Sequence, residues 1–392
     1  MNLIQANQTT NLINTQLDPK SRTWVEISKS AILHNIKQFR QVIGPNVQLS
    51  IVAKSNAYGH GLEQVAQIAQ ESEDANWICI FSLYEGIISR NSGFKKNILV
   101  LGHVDLDPEL AIINSIDLTV YDLEFIQKLN DLGKKLNIPA FIHIKVDTGL
   151  SRLGIFPEEA LELIKKTHNL PFIKIRGIFS HFAESDAKDQ NFTHKQANKF
   201  MWLLNELKKS KIHIPFIHCS NTTGIIRFGS CHFTMSRTGG GTYGLYKSNE
   251  INELGQKKHL INLKLALTWK AKIMQIKELP AGSYVSYART FVTYRKTKIA
   301  LIPIGYWDGY NRQLSNKGSV YIKGIPTPVI GRVCMNVIIV DITEIQNVSL
   351  NDEAILVGNL PGINPDDIAQ LTGSINYETT TRINPAIPRI II

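Results

Sequence analysis

The stretch from Val47 to Ala69, VQLSIVAKSNAYGHGLEQVAQIA, joins two different periodicities. Its first part holds the short run Leu49-Ser50-Ile51-Val52-Ala53, which reads as a buried strand. In its last part Leu62, Val65, Ala66 and Ala69 recur at i, i+3, i+4 and i+7, the spacing of one helix face. Lys54 and two glycines, Gly59 and Gly61, fill the connection. Working outward, the same exchange of periods repeats. Upstream, Ser28 to Val42 reads as a helix with Ile32, Ile36 and Phe39 on one face. Downstream, strand runs recur at 77–81, 98–102, 118–121, 140–146, 173–179, 216–219 and 234–237. Amphipathic helices lie between them, one opened by Pro157 and another carrying Phe200, Leu203, Leu204 and Leu207 on one face. Strands alternating with helices in this way predict an α/β fold, an N-terminal (β/α)8 TIM-type barrel. The rival is a doubly wound sheet, but no GxGxxG follows the first strand.

After about residue 250 the pattern changes. Leu263, Leu265, Leu267, Trp269, Ala271 and Ile273 alternate with more polar neighbours, the period of a half-buried strand. Further strand runs stand at 298–304, 319–322, 337–341 and 354–357, punctuated by glycine and proline. The expected organisation is a disordered leader at 1–20, the barrel at 21–250 and a mostly-β C-terminal domain at 251–392. A strand at about 21–27 is assignable to either domain.

Composition narrows the class. The chain has 392 residues, of which 43% are hydrophobic and 19% charged, which excludes disorder for most of its length. No run approaches the ~18 apolar residues of a membrane span, and the Asn- and Gln-rich start lacks the plan of a signal peptide. No membrane association is expected. Cys79, Cys219, Cys231 and Cys334 form no CxxC pair, so neither a zinc site nor a disulfide framework is indicated, and a reduced, cytoplasmic protein fits. No HExxH or HxxxH pair suggests a metal. The net charge of +10 admits a nucleic-acid binder. However, the lysine pairs are scattered (95–96, 134–135, 165–166, 208–209, 257–258), several near helix ends where cations suit the dipole. No nucleic-acid partner is expected.

The chemistry starts at Lys54, which ends the first barrel strand, and barrel active sites lie at that C-terminal face. A lysine in a dry pocket has a lowered pKa and can form a Schiff base. The segment from Val52 to Gly61 resembles the cofactor-lysine motif of the alanine racemase family, fold-type III enzymes that use pyridoxal 5'-phosphate (PLP). Further motifs resemble that family in its order: HIKVDTGLSRLG (143–154), FSHFA (179–183), HCSNT (218–222) and RTGGGTYG (237–244). VSY (285–287), PIGYWDG (303–309), GRVCMN (331–336) and INYE (375–378) complete the set.

The resemblance implies a PLP-dependent alanine racemase with an amino-acid substrate, supplying D-alanine for peptidoglycan. It implies that Lys54 carries PLP and acts as one acid/base group, and that Tyr287 from the partner subunit acts as the other. Two bases on opposite faces are what racemisation requires. Cofactor contacts implied are Tyr58, His181, Asn221, Thr222, Arg237, Gly239, Gly240 and Tyr377, with Arg237 on the pyridine nitrogen. Phosphate sites of this barrel class use the loops after strands seven and eight, where Asn221, Thr222, Gly239 and Gly240 fall. Arg152 would hold the substrate carboxylate, and Tyr306, Met335 and Asn336 would line the substrate pocket and its entrance. Lys145 matches a lysine that is often carbamylated in the family; pairing with Asp147 or another acid is its alternative. Sharing of sites implies a head-to-tail homodimer. Two residues depart from the pattern: Thr222, where serine is common, and Asn336, where aspartate is usual. Asparagine at 336 keeps a serine or broad-specificity racemase open, with a non-catalytic PLP-binding protein as the remaining reading.

Overall fold

The computed structural model describes residues 22–259 and 261–392, so the leader expected at 1–20 lies outside the described residues. The chain divides into two units, with boundaries after Ile27 and after Ala266.

The first unit is an eight-stranded parallel barrel with helices around it. Its strands are β1 (Gln48–Val52), β2 (Trp77–Ile80), β3 (Asn97–Val100), β4 (Ile116–Val120), β5 (Ala140–Lys145), β6 (Ile173–Phe179), β7 (Phe216–His218) and β8 (Met235–Thr238). They pair in sequence order from β1 to β7, and β8 pairs with β1. The seam between β7 and β8 is bridged by Arg237 N–H to the Ser220 carbonyl at 3.1 Å and Ile217 N–H to Thr234 Oγ1 at 2.7 Å. The sequence expectation of a TIM-type barrel is therefore met, each strand within two residues of its expected position. Parallel strands covered on both faces read as continuous apolar runs, and this is why they were visible. Local signals agree. Ser28 caps the helix Lys29–Ile43 by accepting Ala31 N–H at 3.3 Å, and Pro157 opens Pro157–Thr167.

Val52, Trp77, Cys79, Leu99 and Met235 form one apolar cluster of this unit. Its buried set also contains polar groups: Ser50, Asp117, His143 and His218 are all fully enclosed. Such groups persist inside a core only when hydrogen-bonded.

The second unit holds a six-stranded sheet in the order Ile325–Pro328, Ser319–Ile322, Glu353–Val357, Leu267–Lys272, Thr23–Ile27, Arg389–Ile391. The early strand Thr23–Ile27 runs antiparallel to Leu267–Lys272 and parallel to Arg389–Ile391. A three-stranded sheet (Gln275–Leu279, Thr297–Ile302, Ile338–Asp341) and a hairpin (Tyr284–Val285, Phe291–Val292) complete the β content. Two helices, Pro365–Thr372 and Asn376–Thr381, were not expected. The first carries a visible start signal, since Asn364 accepts Asp366 and Asp367 N–H at 3.0 and 2.9 Å ahead of Pro365.

The boundary at 266/267 is later than the 250/251 expected from sequence. The helix Asn249–His259 belongs with the barrel, tied by His259 Nε2 to the Ile226 carbonyl at 2.9 Å. Leu263–Ala266 is extended but joins no sheet; Asn35 pairs with it instead, exchanging bonds with Lys264 N–H and carbonyl, both at 2.8 Å. Among the described residues no helix is long and apolar enough to cross a membrane, and no cluster of His, Cys, Asp and Glu suits a metal ion.

Candidate active site

Lys54 leaves β1 at the C-terminal end of the barrel. The four residues after it, Ser55, Asn56, Ala57 and Tyr58, all hold positive φ, between 53° and 56°. A left-handed turn of L-residues costs about 1–2 kcal/mol per residue and must be held from outside. Glu85 holds it: its Oε1 accepts Ser55 N–H at 2.6 Å and Asn56 N–H at 3.4 Å, while Oε2 accepts Phe81 N–H at 2.8 Å. Asn56 Oδ1 in turn accepts Leu62 N–H at 2.8 Å, which starts the next helix. Burial and then the charge of Arg152 push the Lys54 ammonium below its ordinary pKa, with Glu85 opposing. A lysine of that kind holds more of its neutral, nucleophilic form.

The turn delivers Tyr58 to the loops after β7 and β8. A Cβ at Gly239 would stand 2.7 Å from Tyr58 Oη, so only glycine lets the backbone come this close. Thr222 Oγ1 accepts Gly239 N–H at 3.0 Å and Gly241 N–H at 3.4 Å. Asn221 caps the short helix that follows, accepting Gly224 N–H at 2.8 Å, and also accepts Ser185 Oγ at 3.0 Å. Burial raises the Tyr58 phenol to about 12, so it stays a donor.

Arg237, in β8, is buried, and its acceptors are neutral. Nη2 donates to the Ser180 carbonyl at 2.9 Å, to the Cys219 carbonyl at 3.3 Å and to His181 Nδ1 at 3.2 Å; Nη1 donates to His218 Nδ1. Burial and the Arg237 charge drive both imidazoles well below the usual histidine pKa, so both are neutral. His218 therefore lies in direct contact with Arg237 as a neutral acceptor.

Lys145 ends β5, with Nζ 4.6 Å from the centroid of the Phe179 ring and the Arg237 guanidinium 5.3 Å from the same ring. Burial, then Arg237 and Arg152, lower its ammonium to about 7. Asp147 pulls the other way but uses Oδ1 on its own loop, accepting Gly149 N–H at 2.8 Å and Ser151 N–H at 3.1 Å. Arg152 lies exposed on that loop. The loop folds back onto β5, where a Cβ at Gly154 would stand 2.7 Å from the Lys145 carbonyl.

In the second unit three segments converge. Ser286 Oγ donates to the Arg332 carbonyl at 2.7 Å, and Tyr306 N–H donates to the Cys334 carbonyl at 3.0 Å. Tyr287, Tyr306, Met335 and Asn336 are thereby presented together, all exposed, Tyr287 at 70%. Ser286, Ala288 and Arg289 around Tyr287 all have positive φ. Tyr377 stands on Asn376–Thr381 of the same unit, half-buried.

Sequence reasoning missed Glu85, Asp117 and Gln196. Glu85 lies three residues after the helix-capping Ser82, so it reads as an ordinary first-turn acid. Gln196 donates to the His181 carbonyl at 3.2 Å from the middle of the helix Asn191–Lys209, where no motif marks it.

The first unit is thus a parallel-barrel enzyme scaffold with its reactive groups on the C-terminal rim. The chain belongs to the alanine racemase family. The family description "Alanine racemase, N-terminal domain" matches residues 27–247 and "Alanine racemase, C-terminal domain" matches 266–391. The alanine racemase of Halothermothrix orenii is 41% identical over 372 residues, covering 94% of this chain and 96% of that protein. That of Methanococcus maripaludis is 39% identical over 373 residues, covering 94% and 98%. Among solved structures, alanine racemase of Clostridium difficile 630 superposes with a TM-score of 0.90 at 32% identity, covering 96% of this chain and 97% of that one. Alanine racemase from Bacillus anthracis with bound L-Ala-P gives 0.85 at 32% identity, covering 95% of each.

Proposed function

We propose that the chain interconverts L-alanine and D-alanine in the cytoplasm, with PLP as its resident cofactor, and supplies D-alanine for peptidoglycan. The observation that carries this reading is the pairing, on one barrel rim, of a lysine with a lowered pKa and a cradle of neutral donors around Gly239. The donor set fits the cofactor's chemistry. Tyr58 Oη, the Gly240 N–H and Thr222 Oγ1, whose hydroxyl proton stays available while it accepts Gly239 N–H, suit a phosphate group beside Asn221, and the missing Cβ at Gly239 leaves it room. Tyr377 is proposed as a further phosphate contact. Arg237 would donate to the pyridine nitrogen; a guanidinium does not give up its proton, so that nitrogen stays unprotonated. His181 buttresses Arg237 through Nδ1.

PLP, when bound, supplies an electron sink for the charge left at Cα once its proton is removed. Lys54 Nζ would carry the cofactor and move the α-proton on one face. Tyr287 Oη, from a second copy of the chain, would hold or deliver the proton on the other. Its exposure and strained backbone support a role outside its own unit. A homodimer follows from this assignment. Arg152 would bind the substrate carboxylate with its planar fork. Tyr306, Met335 and Asn336 would shape the entrance.

Lys145 is proposed to be carbamylated. Its neutral amine attacks CO2, an N–C bond forms and one proton leaves to solvent. The product is an anion flanked by Arg237 and Arg152, the two cations that now depress its ammonium. A signal from 13C-labelled bicarbonate, absent in Lys145→Met, tests this.

The deciding experiment measures D-product from L-alanine and L-serine with purified, PLP-loaded protein. Fast D-alanine formation is expected. Serine turnover equal to or above alanine turnover would move the reading to a broad-specificity racemase, and no D-product from either would overturn it.

A further inference from the structure

Five side chains form one continuous polar file through the barrel. At one end Arg176, in β6, lies among residues that open their strands: its guanidinium stacks 4.9 Å from the Trp77 ring and 5.4 Å from the Phe216 ring, and it donates to Asn97 Oδ1 at 3.1 Å. It also donates to Asp117 Oδ1 at 2.9 Å. Asp117 Oδ2 meets His143 Nε2 at 3.1 Å, His143 Nδ1 meets His218 Nε2 at 2.9 Å, and His218 Nδ1 meets Arg237 Nη1. Asp117, His143 and His218 are completely buried.

We propose that Asp117 is a positioning residue that fixes, through His143 and His218, the hydrogen-bond polarity on which Arg237 is seated. The proposal rests on Arg237 serving the cofactor ring, as argued above. The inventory of donors forces a single arrangement. Arg237 can only donate, so His218 Nδ1 must offer a lone pair and His218 Nε2 must carry the proton. His143 Nδ1 must then accept, and His143 Nε2 must carry the proton. That N–H needs an acceptor, and the Asp117 carboxylate, which only accepts, provides one. Reading from Asp117 upward gives the same answer, so the file is consistent from both ends. Both histidines are neutral Nε2–H tautomers, in keeping with the downward push that burial gives their pKa values.

The packing holds this polarity. The His218 ring lies 4.7 Å from Phe179 at an interplanar angle of 3°, and His143 stacks on Phe216 at 9°. Gly177 makes the space for His143: a Cβ there would stand 2.1 Å from Nδ1. The strand pairing also shifts register between Ile142 and His143, which re-aims that ring.

Asp117→Asn separates polarity from packing. Arg176 requires the amide oxygen, so the amide NH2 turns to His143 Nε2. Each histidine then has to become the Nδ1–H tautomer, and a donor faces Arg237. Long-range 1H–15N spectra of the holoenzyme, assigned with H143Q and H218Q, read tautomers directly. The unsubstituted protein is expected to show both rings as neutral Nε2–H. Either ring as Nδ1–H or imidazolium overturns the proposal, and this reading needs no variant to fold. In D117N the tautomers are expected to invert, PLP to bind about 10- to 100-fold more weakly, and kcat to fall with KM for alanine little changed. Adding R176M frees the amide oxygen to turn to His143 and is expected to restore both tautomers and PLP affinity. Unchanged tautomers and affinity in D117N, or no restoration in the double variant, overturn the proposal. Native tautomers as expected in a protein that makes no D-product would sink the racemase reading alone.

Discussion

Gly239 lies so close to the Tyr58 hydroxyl that a single added carbon would stand 2.7 Å from the oxygen. The loop after β8 and the turn after β1 are therefore fitted against each other across one glycine. Gly239 holds φ −99° and ψ −106°, outside the main regions open to a residue with a Cβ, so alanine is opposed by the backbone as well as by the contact. Gly239→Ala is expected to weaken PLP binding about tenfold and to lower the melting temperature. Adding Tyr58→Phe removes the offending oxygen and should not weaken binding further. Titration of the apoprotein with PLP, followed by absorbance, makes the comparison.

Among the described residues Glu85 forms no salt bridge; it accepts backbone N–H groups of Ser55, Asn56 and Phe81. Glu85→Gln keeps the shape but halves the acceptors and removes the charge. A loss of about 1–3 kcal/mol in unfolding free energy is expected, together with a Lys54 amine that titrates lower still, because Glu85 is the group that raises it. Denaturant melts and the pH dependence of Lys54 modification by an amine-reactive probe read the two effects.

Lys145 predicts a pH slope. Its ammonium titrates at about 7 in the folded chain and near 10.4 when unfolded. Between those values the unfolded chain binds the extra proton, so stability rises with pH. The slope approaches about 1.4 kcal/mol per pH unit in CO2-free buffer. Lys145→Met should flatten the curve between pH 7 and 10. Equal slopes for the two proteins would show that the amine is not buried in the neutral form.

Asn336 is exposed, so Asn336→Asp should shift unfolding free energy by no more than about 0.5 kcal/mol. What it is expected to move is selectivity, toward alanine over serine by several-fold. The ratio of kcat/KM for the two amino acids, measured before and after the change, decides it.

The barrel was legible because each of its strands is a compact apolar run. The edges of the second unit were not. Ile325–Pro328 contains two prolines, which argue against a strand until it is seen at the sheet edge. Gln275–Leu279 has no fully buried residue, so no alternation marks it. Leu263–Ala266 shows the opposite error, a strand pattern in a segment whose backbone bonds Asn35 instead. In the site, Lys54 and Arg237 were readable because they terminate strands inside recognisable motifs. Asp117 was hidden inside the run Ile116–Val120, where nothing local distinguishes a buried carboxylate with partners on two other strands.

The pairing of Thr23–Ile27 with Arg389–Ile391 bears on how the chain is made. The barrel residues 28–266 emerge from the ribosome between strands of one sheet, and Ser28 N–H bonds the Ala266 carbonyl at 2.8 Å where that excursion closes. The barrel can be complete while the sheet still lacks its later strands. The strand Thr23–Ile27 must wait, unpaired on one side, for residues made after the whole barrel. A chain stalled short of Arg389 would leave that edge open, so synthesis has to pass Arg389–Ile391 before the sheet is closed.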